Sequence, residues 1–137
     1  MPMSLRFEGL TLTVDDVERS TGFYGGILGL TVEVNAPPDF AMIRIDGSAG
    51  GTIGLLSIAR AKAEGGAAMT MSQRRSIHVE FSTDDLDALY NLLLERGVVF
   101  EEPPHDEPWE RSMTALDPDG YSVEFAQGHR GRNATKP

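Results

Sequence analysis

The chain has 137 residues, of which 40% are hydrophobic and 24% charged, and it contains no cysteine. This composition is ordinary for a globular domain. It excludes a disordered chain, disulfides, a thiolate nucleophile and cysteine-ligated metal centres. No apolar run approaches the roughly 20 residues that span a bilayer, and the first residues lack the apolar core of a secretory signal. We therefore predict a cytoplasmic protein that does not act at a membrane.

The net charge is −9, and the last eleven residues hold three basic residues and no acid, which leaves −12 on residues 1–126. Such a body repels phosphate backbones, so we do not expect nucleic acid as a partner. It attracts a cationic small molecule or a basic partner, although solubility alone also explains the charge.

The first half begins with an alternating apolar and polar run at residues 8–14, which predicts a strand. Asp15 is the predicted N-cap of a helix over residues 16–27, weakened near its end by Gly25 and Gly26. Three further strands are predicted at residues 30–34, 40–45 and 51–58, separated by turns at residues 35–38 and 46–48.

The second half repeats this order at an offset of 69 residues, since Thr13-Val14-Asp15-Asp16-Val17 resembles Ser82-Thr83-Asp84-Asp85-Leu86. A strand at residues 77–82 leads to Asp84 as N-cap and to a helix over residues 85–96 that stops at Gly97. Strands follow at residues 98–102, 112–116 and 121–126, the last two joined by the turn Asp117-Pro118-Asp119-Gly120.

These repeats divide the chain into a first module (residues 1–58), a connector (59–75), a second module (76–126) and a polar tail (127–137) within one structural domain. One amphipathic helix covers only one face of the sheet in each half. Two such halves, from one chain or from two, can enclose a cavity between their open faces.

A proline-rich and acidic segment, Glu101 to Arg111, interrupts the second half. Prolines disfavour the interior of a regular strand, so we predict a loop. Trp109, the single tryptophan, lies in this segment. Either it holds a cationic or planar ligand by stacking, or it packs against the sheet edge beside solvated acids.

The residues of both halves resemble the vicinal oxygen chelate superfamily, which includes glyoxalase I, bleomycin-resistance proteins and extradiol dioxygenases. The resemblance lies in residues 12–24 with Leu28-Gly29-Leu30, and in His78, Asp84-Asp85-Leu86, Arg96-Gly97-Val98, Asp117 to Tyr121 and Glu124. It implies an α+β fold in which two βαβββ modules form a U-shaped mixed sheet around a cavity, in a homodimer. It does not select a reaction, because the superfamily hosts many chemistries and some proteins that only bind.

In the metal-dependent members of this superfamily, the first and last strand of each module supply one ligand each. The resemblance places these ligands at His78 and Glu124 in the second module and at Gly9 and about Gly54 in the first. Two protein ligands are few for a tightly held metal. A third would have to come from Glu8, from the His105-Asp106 pair, from a partner chain or from the substrate.

We therefore predict a small-molecule binding protein, without a metal cofactor, that sequesters or carries an apolar or cationic compound. Its predicted ligand contacts are Thr11, Glu80, Trp109 and Arg111. The alternative is a lyase, isomerase or dioxygenase in which His78 and Glu124 are catalytic and bind a divalent metal; without a metal they form a general-base dyad, a ligand clamp or a relic pair. A third hypothesis is a regulatory or interaction domain that keeps the fold without a ligand.

Overall fold

The computed structural model describes residues 3–45 and 50–128. The predicted turn at residues 46–48 and residues 129–137 of the predicted tail lie outside these ranges. The chain divides into two compact units, residues 1–69 and residues 70–137. Each unit contains a four-stranded sheet with helices, which confirms the α+β class. Among the described helices, none is long and apolar enough to cross a membrane.

The first unit carries its sheet in the order β1-β4-β3-β2, with β1 and β4 parallel and the other pairs antiparallel. One face buries Leu12 and Val14 of β1 with Val17 and Tyr24 of the following helix. The elements are β1 (Gly9–Val14), α1 (Val17–Thr21), a π-helical turn (Gly22–Ile27), β2 (Thr31–Ala36), β3 (Phe40–Arg44), β4 (Thr52–Ser57) and α2 (Ile58–Ala63).

The second unit repeats this topology with the sheet order β5-β8-β7-β6, so the predicted succession of strand, helix and three strands is confirmed in both units. Leu86 and Leu93 of its long helix are buried, and Tyr90 meets Phe100 edge-on at 4.8 Å. The elements are α3 (Met71–Arg75), β5 (His78–Ser82), α4 (Leu86–Glu95), β6 (Val99–Asp106), β7 (Glu110–Leu116) and β8 (Ser122–Gly128).

The helices that follow the first strand of each unit begin one residue later than predicted. Their N-caps are Asp16 and Asp85, and the prediction of Asp15 and Asp84 is wrong. Both caps have an extended backbone, and each carboxylate accepts a 3.1 Å hydrogen bond from the amide three residues on. The later start makes an apolar residue the first of each helix, and that residue is 1% exposed or less.

The first predicted helix has two parts. It is α-helical as far as Thr21 and then widens to a π-helical turn that contains Gly25 and Gly26. Glycine favours the α-helix least of all residues except proline, so a change of helix type there costs little. Phe23 and Tyr24, on this turn, are both buried and meet edge-on at 5.0 Å.

The proline-rich segment of the second unit is a strand as far as Asp106, and β7 begins at Glu110. The prediction of a loop is therefore wrong for residues 101–106 and 110–111. The strand β6 lies at the edge of its sheet, where a missing backbone donor is tolerated. Its pairing with β7 shifts register between Phe100 and Glu102 and again between Glu102 and His105. The prolines therefore coincide with irregularities that re-aim the side chains of this strand.

Residues 59–75, predicted as a connector, contain most of α2 and all of α3. The helix α3 is held by Arg74, which is only 3% exposed. Its Nη1 donates to the Asp119 carbonyl at 3.1 Å and lies 3.9 Å from the Asp119 carboxylate, while the guanidinium stands over the Tyr121 ring. This side chain thereby fixes α3 against the turn between β7 and β8.

That turn forms as predicted. The Asp117 carboxylate accepts hydrogen bonds from the amides of Asp119 at 2.8 Å and Tyr121 at 3.0 Å. Gly120 has a φ of +87°, in the left-handed region that favours glycine.

We expect Arg74→Ala to lower the free energy of unfolding by about 3 kcal/mol, because it leaves the buried Asp119 carboxylate without its guanidinium. Arg60→Ala removes an arginine whose ion pair with Glu64 is half-exposed, and it should change stability little. Urea denaturation of both variants measures the difference. Equal losses would contradict the structural role of Arg74.

Candidate ligand-binding site

The two faces of the second unit's sheet differ in chemistry. One face is apolar and buries Val79, Met113, Val123 and Phe125 on the side of α4. Strand register places the polar side chains on the other face, because registered partners share a face. His78 is opposite Ser122, Glu80 is opposite Glu124, and Thr114 is opposite both Glu124 and Glu102.

An open pocket of about 440 Å³ lies on this polar face. Its lining contains two histidines, three hydroxyl side chains, one tryptophan, one arginine and five glutamates. Among the described lining residues the carboxylates outnumber the single arginine five to one, and such an excess favours a negative potential. The glutamates are Glu101, Glu102, Glu107, Glu110 and Glu124.

His78 and Glu124 both line this pocket, as the resemblance implies. They lie on adjacent parallel strands, offset by one registered pair, since Glu80 is the direct partner of Glu124. His78 is exposed and Glu124 is half-buried. Glu80 shares their face but does not line the pocket.

Trp109 forms part of the pocket wall, in the short loop between β6 and β7. Its indole N–H is buried and finds no hydrogen-bond acceptor among the described residues. A buried donor of this kind costs free energy when it stays unpaired. Trp109 thus combines a buried indole N–H with a position on a concave surface, and stacking on a ligand stays a prediction.

His105 contributes a second imidazole to the pocket, on the edge strand β6. Its Nδ1 donates to the Pro103 carbonyl at 3.0 Å, and its Nε2 lies 3.4 Å from carboxylate oxygens of both Glu102 and Glu107. The Pro103 carbonyl raises the pKa of His105 above its ordinary 6.5, and the two carboxylates raise it further against a desolvation effect that lowers it.

Arg111, predicted as a ligand contact, does not line the pocket. It follows Glu110 and precedes Ser112 on β7, so its side chain points to the opposite face of the sheet. There it binds Asp87 of α4, with Nη2 and Nε at 2.9 and 3.3 Å from the two carboxylate oxygens, and Asp106 at 3.4 Å. The hydrogen bond from Arg111 lowers the pKa of the Asp87 carboxyl.

Thr11 belongs to the first unit, where it is exposed on β1 and lines a separate open pocket with Phe40 and Leu56. It is the registered partner of Gly54, as Glu80 is the partner of Glu124. In the same way Gly9 pairs with Thr52, as His78 pairs with Ser122. The strand register thus supports the assignment of Gly9 and Gly54 as the first-unit equivalents of His78 and Glu124.

Neighbouring atoms crowd both glycines. A Cβ on Gly9 would lie 2.3 Å from the Thr52 carbonyl oxygen, closer than any real contact. A Cβ on Gly54 would lie 3.0 Å from Thr11 Oγ1 and 3.2 Å from Phe40 Cε1. A side chain at Gly54 would require Thr11 or Phe40 to shift by a few tenths of an ångström, whereas one at Gly9 would clash with the backbone of Thr52.

Among the described residues, no three His, Asp or Glu side chains are placed to hold one metal ion. Of the suggested third ligands, Glu8 lies in the first unit and its carbonyl accepts from the Thr52 amide at 2.9 Å. Asp106 contacts Arg111, and only His105 lines the pocket with His78 and Glu124. The protein donor set common to this pocket therefore fits a tightly held metal poorly.

Sequence patterns did not single out Arg75, Glu101 or Glu102 as pocket residues. In a regular strand, Glu101 and Glu102 would point to opposite faces, yet both line the pocket because the register of β6 shifts between Phe100 and Glu102. The adjacent Pro103-Pro104 was the available signal for such an irregularity. Arg75 lies in the predicted connector, where no predicted helix or strand indicates the direction of its side chain.

The chain belongs to the Glyoxalase/Bleomycin resistance protein/Dioxygenase superfamily, whose model matches residues 6–125. A member of this superfamily from Nocardioides is 24% identical, with a TM-score of 0.81 over 100% of this chain and 92% of that one. No curated protein sequence matches the chain significantly.

Two other solved structures share the fold. A lactoylglutathione lyase from Agrobacterium tumefaciens is 20% identical, with a TM-score of 0.72 over 93% of this chain and 95% of that chain. An antibiotic-binding protein from a Streptomyces species is 22% identical, with a TM-score of 0.64 over 94% and 99%. These likenesses confirm the glyoxalase/bleomycin-resistance fold, which by their descriptions occurs in an enzyme and in a binding protein.

We expect Gly54→Ala to destabilise the chain by about 1–3 kcal/mol, because the added methyl group presses on Thr11 and Phe40. Gly26→Ala is the matched control, since a Cβ there meets nothing within 4 Å. It should leave stability unchanged or raise it slightly. Thermal unfolding of both variants provides the comparison, and a neutral Gly54→Ala would show that the first unit can accept a side chain there.

We also expect NMR titration to give a pKa for His105 above 6.5, and Glu107→Gln to lower it. Because the folded-state pKa exceeds the unfolded one, the stabilisation from His105 is fully present below pH 6.5 and is lost as the pH rises through the folded pKa. Glu95→Gln, on the exposed end of α4, removes the same charge without touching His105 and should leave the titration unchanged. A His105 pKa at or below 6.5 would contradict the arrangement of its partners.

Proposed function

We propose that this protein binds a small aromatic cation in the acidic pocket of its second unit and needs no metal ion to do so. The observation that carries the proposal is the lining of this pocket, which contains five glutamates and the single tryptophan of the chain. Sequestration or transport of the bound compound follows as the biological role. The homodimer and the cytoplasmic location stay predictions.

Electrostatics support a cation. The five carboxylates lie on one concave surface of a chain whose net charge is −9. Low-dielectric walls around such a surface focus the potential and raise the local concentration of positive ligands. Trp109 adds a flat ring, and contact between a cation and an indole is worth about 0.5–2 kcal/mol.

The donor set supports binding without a metal. His78 and Glu124 supply two protein ligands, and their first-unit equivalents are glycines that neighbouring atoms crowd. Structural and catalytic metal sites generally use three or four protein ligands. The antibiotic-binding protein from a Streptomyces species shows that a binding role is compatible with this fold.

A metal-dependent lyase, isomerase or dioxygenase is the second candidate. It is favoured by one observation: His78, Glu124 and His105 line the same pocket. In that case His78 and Glu124 would hold the ion and the substrate would complete its coordination. Elemental analysis of protein purified without chelator separates the two candidates, because this one requires a stoichiometric metal that is lost in His78→Ala.

Ethidium, a planar aromatic cation, is a suitable probe, because the intrinsic fluorescence of the single tryptophan reports on the pocket wall. We expect saturable quenching of Trp109 and a Kd that rises with salt. Glu102→Gln and Glu124→Gln should each weaken binding by roughly three- to tenfold. Glu95→Gln, which removes the same charge outside the pocket, should leave the Kd nearly unchanged.

Calorimetry should give the same Kd as fluorescence. Absence of binding, or equal losses in the pocket variants and in Glu95→Gln, would contradict the proposed function. Binding that requires added Mn²⁺, Fe²⁺ or Zn²⁺ would favour the enzyme instead.

A further inference from the structure

One carboxylate of the pocket already forms an ion pair with an arginine of the protein. Arg75, the last residue of α3, forms an ion pair with Glu101 of β6 through Nη2 and Oε2. Both residues line the pocket, and Arg75 is the only Lys or Arg among the lining residues that the structure describes. The acidic pocket is thus partly neutralised by a side chain of the protein itself.

This ion pair joins a short helix to a strand of the sheet. Arg75 lies three residues before His78, which begins β5, whereas Glu101 lies on β6. The strands β5 and β6 are the two edges of the sheet, with β8 and β7 between them. The Arg75–Glu101 pair therefore links α3 to an edge strand of the sheet, and both residues line the pocket.

Both ends of the pair are positioned by specific features of the fold. The buried Arg74 binds Asp119 and thereby fixes α3, which sets the position of the Arg75 backbone. The shift in register between Phe100 and Glu102 turns Glu101 towards the pocket beside Glu102. The backbone at each end therefore determines that Arg75 and Glu101 meet.

We propose that Arg75 competes with the ligand for the Glu101 carboxylate. The ligand carries a planar amidinium or guanidinium group that displaces Arg75 from Glu101. This inference rests on the proposed function and names its ligand more closely. A planar cation with paired N–H donors matches a carboxylate in the way the arginine side chain does. An aromatic ring attached to it would extend over the pocket surface that contains Trp109.

The exchange is energetically accessible because the pair is exposed. The side chain of Arg75 is 54% exposed and that of Glu101 is 29% exposed. Ion pairs of this exposure contribute little to stability, since water competes for both partners. A ligand that also contacts the ring of Trp109 and further carboxylates can therefore displace the arginine.

Benzamidine, an aromatic amidinium, and benzamide, its neutral analogue, test this inference by calorimetry. Arg75→Gln should bind benzamidine roughly three- to tenfold more tightly than the wild type, because it removes both the competitor and a like charge. Glu101→Gln should weaken benzamidine binding by a similar factor. Binding of benzamide should not respond to either change.

Arg44→Gln is the matched control. It changes the net charge by the same amount and breaks an ion pair with Glu33, but it belongs to the first unit and lines none of this pocket. It should leave the benzamidine Kd within twofold of the wild-type value. Circular dichroism checks that every variant is folded, and the Glu101→Gln arm still tests the inference if Arg75→Gln is not.

The outcomes separate this inference from the proposed function. If ethidium binds but Arg75→Gln fails to tighten benzamidine binding, or if Arg44→Gln tightens it equally, the competitor role is wrong and the proposed function stands. The same holds if Glu101→Gln leaves benzamidine binding unchanged. If neither ethidium nor benzamidine binds to any variant, both proposals are wrong.

Discussion

The parallel pairing of the first and last strand in each unit determines where the functional side chains lie. In the second unit this pairing puts β5 beside β8 and brings His78 and Glu124 onto one face, although they are far apart in sequence. The same pairing in the first unit places Gly9 and Gly54 at the equivalent points. A shift of one residue in either pair would turn these positions to the opposite face and expose the core side chains, so register and core packing are coupled.

The two units share a topology and have diverged in the chemistry of their open faces. The second unit presents acids, imidazoles and hydroxyl groups, whereas Phe40 and Thr11 crowd Gly54 in the first unit. Where apolar contacts replace polar groups at one of two equivalent positions, that face of the sheet binds different ligands, although the backbone fold is the same. The family name alone therefore says little about the ligand.

Much of the fold was predictable because its signals are local. Alternation along β5 and the apolar stripe of α4 each define an element from neighbouring residues. The one-residue error at Asp15 and Asp84 arose because adjacent aspartates are equally good N-caps, and burial of the following residue decides between them. His78, Glu124 and Trp109, which the sequence singles out, line one pocket of the second unit, while their roles towards a ligand stay predictions.

The remaining parts of the site depend on tertiary contacts that local patterns do not encode. The direction of Arg111 is set by its pairing with Asp87 of α4, and that of Glu101 by an irregular strand register. The prolines of β6 predict a break in regular pairing, but not that an edge strand would accommodate them. Arg75 gains its position only through the burial of its neighbour Arg74.

The five glutamates that line the pocket also disfavour whole classes of ligand. Nucleotides, sugar phosphates and coenzyme A derivatives carry several negative charges, and each would be repelled by these carboxylates, of which Arg75 pairs with only one. Since such compounds dominate the soluble metabolite pool of a cell, repulsion of anions would reserve the pocket for a less abundant, positively charged ligand. Selectivity would then arise as much from exclusion as from attraction.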